Sequence, residues 1–168
     1  MSAVEVQDEV FAAVRRKFGF VPNLIREMSK SPAVARVYLD GQEAMAGASL
    51  TATEQQAVQL AVSAYNKCEY CQAAHRLGGR MAGIAGSDLD AIQKGALPED
   101  GRLKSLVSAT RLLLLRRGLL VEGDLTALEA EGVARGQLYE LVALIGLKTI
   151  SNYVNHIAHT EIDEAFRR

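Results

Sequence analysis

Apolar residues recur at three- and four-residue intervals along almost the whole chain, and Gly, Pro or a capping pair interrupts them after each stretch of helical length. A helix brings residues three and four apart onto one face, whereas a strand needs strict alternation. No alternating run of useful length occurs. The chain therefore reads as an all-α, single-domain helical bundle. Val4 to Phe18 forms the first helix and stops at Gly19; Pro22 opens a short one to about Met28. Ser31-Pro32 supplies an N-cap and a first-position proline, for a helix ending before Gly47. Thr51 and Glu54 make a capping box, opening a helix to about Tyr65, and Asn66-Lys67 breaks the chain before a helix from Cys68 to about Met81. Ser87 to Asp90 opens a short helix to Gly95, Pro98-Glu99-Asp100 one from about Arg102 to Arg117, and Asp124 another to Gly132. The last helix, Gly136 to His159, is apolar around much of its circumference, which predicts burial at the centre or in a subunit interface.

Composition narrows the function classes. With 19 basic and 20 acidic residues and a formal net charge of -1, nothing points to nucleic acid or to an anionic membrane surface. No apolar run approaches the roughly 20 residues of a membrane span. Aromatic residues make up 5% and Trp is absent, so the core is aliphatic. The first residues lack the basic and apolar regions of a signal peptide, and a reducing cytoplasm is the expected location.

The only two cysteines stand together in Cys68-Glu69-Tyr70-Cys71, and His75 follows on the same helix. Residues three apart on a helix have Cβ atoms about 5–6 Å apart, and a disulfide needs Cα atoms about 4.4–6.8 Å apart, so a small adjustment closes the bond. Such a bridge closes a tiny loop and adds little stability, which favours chemistry over stapling. A thiolate is the reactive form. The helix N-terminus favours an anion, and His75, four residues beyond Cys71, can take a proton or stabilise the thiolate. Cys71 is accordingly the expected attacking sulfur, oxidised to a sulfenic acid that Cys68 condenses with; a dithiol resets the pair. Two plainer readings stand beside this one. Buried free cysteines often merely pack, and Cys68, Cys71 and His75 offer three zinc ligands where a structural site wants four, with His156 or His159 as a fourth. Glu69 is either a solvated first-turn carboxylate or a catalytic one. Tyr70 is a core or pocket residue, Arg76 and Arg80 a solvated face or an attraction for an anionic substrate, and His156 and His159 helix-end residues or neighbours of the thiols.

The stretch from Leu50 to Ser63, followed by Asn66-Lys67-Cys68-Glu69-Tyr70-Cys71-Gln72-Ala73-Ala74-His75, resembles the alkylhydroperoxidase D branch of the carboxymuconolactone decarboxylase superfamily. Gly19-Phe20-Val21-Pro22-Asn23-Leu24 is similar to a phrase of its peroxidase-related members, and Asn152 to Ala158 to the family's C-terminal helix. The resemblance implies an all-α fold, homo-oligomers such as trimers or hexamers, and hydroperoxide reduction without a bound organic cofactor or metal. It implies that the second cysteine attacks the peroxide and that a reducing dithiol protein or small dithiol regenerates it. It also implies a glutamate twelve residues before the first cysteine in a proton relay; this chain has Gln56 there. Gln can hydrogen-bond His75 but cannot take its proton near neutral pH, which leaves Glu69, His75 with water, or no residue to complete the relay. The expected function is a thiol-dependent peroxidase. The alternatives are a non-enzymatic redox-sensing or oligomeric interaction protein using the same dithiol, and a lactone decarboxylase or isomerase acting without the cysteines.

Overall fold

The structure, a computed structural model, describes residues 3–167. Met1, Ser2 and Arg168 lie outside it, as do the side chains of Val4 and Val6 that the sequence assigns to the first apolar face. Among the described residues there are nine α-helices, one short 3-10 turn and no strand. They run α1 (Ala3–Phe18), α2 (Asn23–Met28), α3 (Pro32–Met45), α4 (Ala52–Tyr65), α5 (Glu69–Met81), α6 (Gly86–Gln93), α7 (Gly101–Arg116), α8 (Glu122–Ala130) and α9 (Arg135–Ala158), with the turn at Glu164–Phe166.

Helix α4 is the axle of the bundle. Every residue from Ala57 to Ser63 is buried, which a helix achieves only when neighbours surround it, and α5, α6, α7 and α9 pack around it. Burying an aliphatic side chain such as Leu60 contributes about 1.5–3 kcal/mol; the small Ala57 and Ala61 face the cluster of Leu60, Ile84, Leu89, Ile92, Leu103 and Val107. The capping box forms as read: Glu54 N donates to Thr51 Oγ1 at 3.2 Å and Thr51 N to Glu54 Oε2 at 2.7 Å. Arg102 adds an ion pair to the same carboxylate at 2.6 Å, which commits Glu54 to structure on a face turned from the cysteines.

Two helix starts differ from the sequence expectation, for a common reason. A polar side chain inside the first turn, Asp124 in one helix and Ser87 in the other, imitates an N-cap. Helix α8 begins at Glu122, and Asp124 sits in its first turn reaching back to accept from Val121 N at 3.1 Å. Helix α6 begins at Gly86, and Asp88 accepts from Glu99 N at 2.7 Å, bracing a neighbouring loop instead of its own helix.

Helix α9 lies against α2, α3, α4, α5 and α7. Its approach to α3 needs Gly41, where a Cβ would stand 2.5 Å from Leu147 Cδ2. Leu138, Leu141, Leu144 and Leu147 are buried. The opposite side exposes Tyr139 (67%), Val142 (50%), Tyr153 (55%) and Ile157 (82%), so the apolar excess of this helix is divided between the core and an outward stripe. Among the described residues no helix is long and apolar enough to cross a membrane.

The turn from α4 to α5 positions the cysteines. Asn66 caps α4, Lys67 takes a left-handed conformation at φ 57°, and Cys68 N donates to Ser63 O at 2.9 Å. Left-handed backbone costs a residue with a Cβ roughly 1–2 kcal/mol; the reversal it permits is fixed to α9 by Asn66 Nδ2 donating to Asn152 Oδ1 at 2.9 Å.

Candidate functional site

Cys68 is the N-cap residue of α5 and Cys71 lies in the first turn, where free N–H groups and the dipole favour an anion. Both are free thiols, each 1% exposed. The surroundings of Cys71 are polar in an otherwise aliphatic core. Asn155 Nδ2 donates to Cys71 Sγ at 3.2 Å and lies 3.8 Å from Cys68 Sγ, so one amide serves both sulfurs. Ser151 Oγ is 3.8 Å from Cys71 Sγ; a hydroxyl accepts from a thiol and donates to a thiolate. One turn earlier on the same face of α9 stands Lys148, 1% exposed, with Nζ 6.0 Å from the centre of the Tyr38 ring.

These neighbours divide the two sulfurs into an anion and a donor. The Cys68 thiol hydrogen-bonds to Cys71, and with Lys148, Ser151 and Asn152 it holds the Cys71 pKa well below the ordinary thiol value despite burial. The bond to Cys71, then burial, pushes Cys68 well above that value. Burial lowers the Lys148 pKa, but Tyr38 and the two sulfurs outweigh it and raise it above the ordinary value.

His75 is placed differently from the sequence expectation of a partner for the thiolate. Its Nδ1 pairs with Gln56 Oε1 at 2.9 Å. Burial, then the Lys148 charge, pushes its pKa well below the ordinary value, so the ring is neutral. Because a Gln oxygen only accepts, the ring proton is assigned to Nδ1, leaving Nε2 as the base. Gly78 makes the contact possible: a Cβ there would fall 2.5 Å from Gln56 Oε1. The cation beside Cys71 is therefore Lys148, and Gln56 orients the imidazole.

Glu69 is exposed at the start of α5 and lines a cleft of about 360 Å³ together with Cys68, Tyr70, Asn155, His156 and His159. Cys71 is not on its wall. Cys68 thus faces the way in and Cys71 sits behind it. A larger cleft of about 660 Å³ follows the outer face of α5 past Arg76, and neither cysteine lines it. Arg76 is ion-paired with Asp90. His159 is the left-handed C-cap of α9, and both it and His156 are exposed at the cleft mouth. Among the described residues no three His, Cys, Asp or Glu side chains form a group able to hold a metal ion. Tyr70, between the cysteines, turns to the chain ends: its hydroxyl donates to Asp163 Oδ2 at 2.5 Å and accepts from Leu24 N at 3.2 Å, and its ring packs edge-on against Phe166. The Gly19–Leu24 phrase meets the same carboxylate, Asn23 N donating to Asp163 at 3.1 Å.

Lys148, Ser151, Asn152 and Asn155 escaped the sequence reading as site residues. Their signal is present: four polar side chains, all buried, at positions i, i+3, i+4 and i+7 of an apolar helix, a polar stripe in a helix that otherwise has none facing inward.

Comparison with known proteins agrees with this architecture. The sequence profile of the carboxymuconolactone decarboxylase family matches residues 32–112, from α3 through most of α7. An uncharacterised peroxidase-related protein from Ralstonia eutropha JMP134, described as an alkylhydroperoxidase AhpD core, superposes with a TM-score of 0.84 at 21% identity, covering 99% of this chain and 91% of that one. A peroxidase-related protein from Silicibacter sp. TM1040 gives 0.83 at 17% identity, over 95% and 85% of the two chains. The debrominase Bmp8 gives 0.71 at 16% identity, over 96% and 88%. No curated protein matches. The family match spans residues 32–112, and the chain as a whole shares the fold of the alkylhydroperoxidase AhpD core.

The divided sulfurs make a testable statement about ionisation. Thiolate ultraviolet absorbance should show one thiolate per chain at neutral pH, lost only when the pH falls well below the ordinary thiol range; Cys71→Ser should remove it. Asn155→Leu should raise the midpoint by about one to two units, the equivalent of a hydrogen bond to a charged group. A single transition at the ordinary thiol value in the wild type contradicts the assignment.

Proposed function

We propose that the protein is a thiol-dependent peroxidase in which Cys71 reduces hydroperoxides and Cys68 completes a disulfide. The observation that carries this reading is the Asn155 amide bonded to Cys71 at 3.2 Å in a pocket that also holds Lys148: a buried sulfur so surrounded is kept anionic, and a thiolate is the nucleophile. The Cys71 thiolate attacks the terminal peroxide oxygen, the O–O bond breaks, and the departing alkoxide takes the Cys68 proton. The resulting Cys68 thiolate attacks the Cys71 sulfenic acid, forming the S–S bond and expelling hydroxide, which is balanced by the proton released when a dithiol later reduces the bond. A dithiol entering by the Cys68 cleft then returns two electrons, leaving Cys68 as thiol, Cys71 as thiolate and one proton in solution. His75 Nε2 accepts the proton that the entering dithiol loses and passes it to solvent, and Glu69 at the cleft mouth meets that reductant.

The closure around Cys71 favours a small, linear electrophile. Asn152 Nδ2 and Asn155 Oδ1 are buried with no partner of their own, and they supply a donor and an acceptor, the complement of an O–O–H group. Bmp8 is named a debrominase, but a bulky halogenated substrate fits the enclosed Cys71 less well than a hydroperoxide does. The reading implies no metal and no organic cofactor, a soluble reducing compartment such as the cytoplasm, and no nucleic acid partner. A second reading, a redox sensor that oxidises without turnover, is favoured by Gln56 at the position where a proton-accepting carboxylate is expected from the resemblance. Steady consumption of hydrogen peroxide or an alkyl hydroperoxide with a dithiol reductant, lost by more than a hundredfold in Cys71→Ser, is the expected result. Stoichiometric oxidation without turnover selects the sensor, and undiminished consumption in Cys71→Ser removes both.

The exposed stripe Tyr139, Val142, Tyr153 and Ile157 on α9 supports self-association through this helix into a trimer or hexamer, since isolated domains rarely leave such a row uncovered. Light scattering should give a multiple of the chain mass, and Tyr153→Glu with Ile157→Glu should reduce it. A monomeric wild type sinks this part of the proposal.

A further inference from the structure

Lys148 has a consequence beyond keeping Cys71 anionic, because its charge remains when the thiolate is consumed. It is 1% exposed on α9, and among the described residues no carboxylate forms an ion pair with it. The groups facing it are the Tyr38 ring at 6.0 Å, the His75 imidazole, Cys68 and Cys71. Tyr38 favours the charged form from 6.0 Å, and His75 is tied through Nδ1 to Gln56. A buried cation costs several times more unpaired than paired. Beside Tyr38, the groups that hold its charge are the two sulfurs, and their thiolate exists in one redox state of the pair.

We propose that Lys148 sets the redox balance of the Cys68–Cys71 pair, favouring the dithiol form because closing the disulfide consumes the thiolate and strands a buried ammonium. The inference rests on the reading of the two cysteines as a redox couple and adds the direction in which that couple is biased. Oxidation removes two electrons, one proton from Cys68 and the negative charge from Cys71, leaving a neutral S–S bond against Lys148. Reduction by two monothiols forms their disulfide, restores the Cys68 thiol and the Cys71 thiolate, and releases one proton to solvent. The disulfide is therefore a strong oxidant for its size. A couple with a stabilised reduced form gives up its disulfide readily, so a monothiol of the glutathione class is a sufficient reductant, admitted through the cleft that Cys68 lines. A specialised low-potential dithiol is not required.

The bias also links redox state to stability. Because the disulfide closes so short a loop, it gains little from restricting the unfolded chain, and the stranded charge opposes it. The oxidised wild type should melt at a lower temperature than the reduced one.

The test is equilibration of wild type and Lys148→Met in glutathione buffers of graded composition, with acid quenching and counting of free thiols by mass. The disulfide should persist in the variant at least about tenfold further into reducing buffers, a shift of about 30 mV for a two-electron couple. Lys148→Gln should shift in the same direction, and serves if the Met variant does not fold. If neither variant folds, the wild type alone decides, by the sign of the melting difference between its two redox states. A disulfide that forms with the same equilibrium constant in wild type and variants, or an oxidised wild type that melts no lower than the reduced, overturns this inference alone. A wild type that forms no Cys68–Cys71 disulfide in any buffer overturns the redox-pair reading and this inference with it.

Discussion

A negatively charged sulfur inside an aliphatic bundle is the constraint around which the rest of the chain is arranged. An isolated ion there is prohibitive, so Cys71 requires donors and a cation from whatever helix crosses it. Helix α9 provides both from one face, Lys148, Ser151, Asn152 and Asn155, while α5 contributes its N-terminal end and the Cys68 thiol. The left-handed Lys67 turn and the Asn66–Asn152 bond hold the start of α5 against α9.

The same arrangement separates tasks that one residue is often asked to perform. Stabilising a thiolate and moving protons pull in opposite directions, since a cationic imidazole next to the sulfur has no proton-accepting capacity left. Here the charge sits on Lys148, and its proximity helps keep His75 neutral. Gln56, which cannot ionise, fixes the ring through a contact that depends on the missing side chain of Gly78. At Gly78 the helix is thinned where the Gln56 side chain passes.

Much of the fold was legible because its signals are local. The Thr51–Glu54 box, the Ser31-Pro32 start and the break at Asn66-Lys67 each act through backbone groups a few residues away, and each lies where the pattern indicates. Asp124 and the Ser87–Asp90 pair misled for a related reason, because they lie inside their helices and not at the cap positions. The site was half legible. Cys68, Cys71 and His75 announce themselves by spacing, but their environment is built across nearly eighty residues of sequence separation, as in the Cys71–Ser151 contact. Nothing local marks Lys148 as facing a thiol and not solvent. Only its place in a stripe with Ser151, Asn152 and Asn155, on a helix whose other inward residues are leucines, distinguishes it.

The order in which the two sulfurs oxidise tests this account most directly. Protein treated with less than one equivalent of hydrogen peroxide in the presence of a sulfenic acid trap, digested and mapped by mass spectrometry, should carry the trap on Cys71, and a Cys68→Ser variant should accumulate it there. Trapping on Cys68 first, or equal labelling of both positions, would show that the buried cluster on α9 does not single out its sulfur.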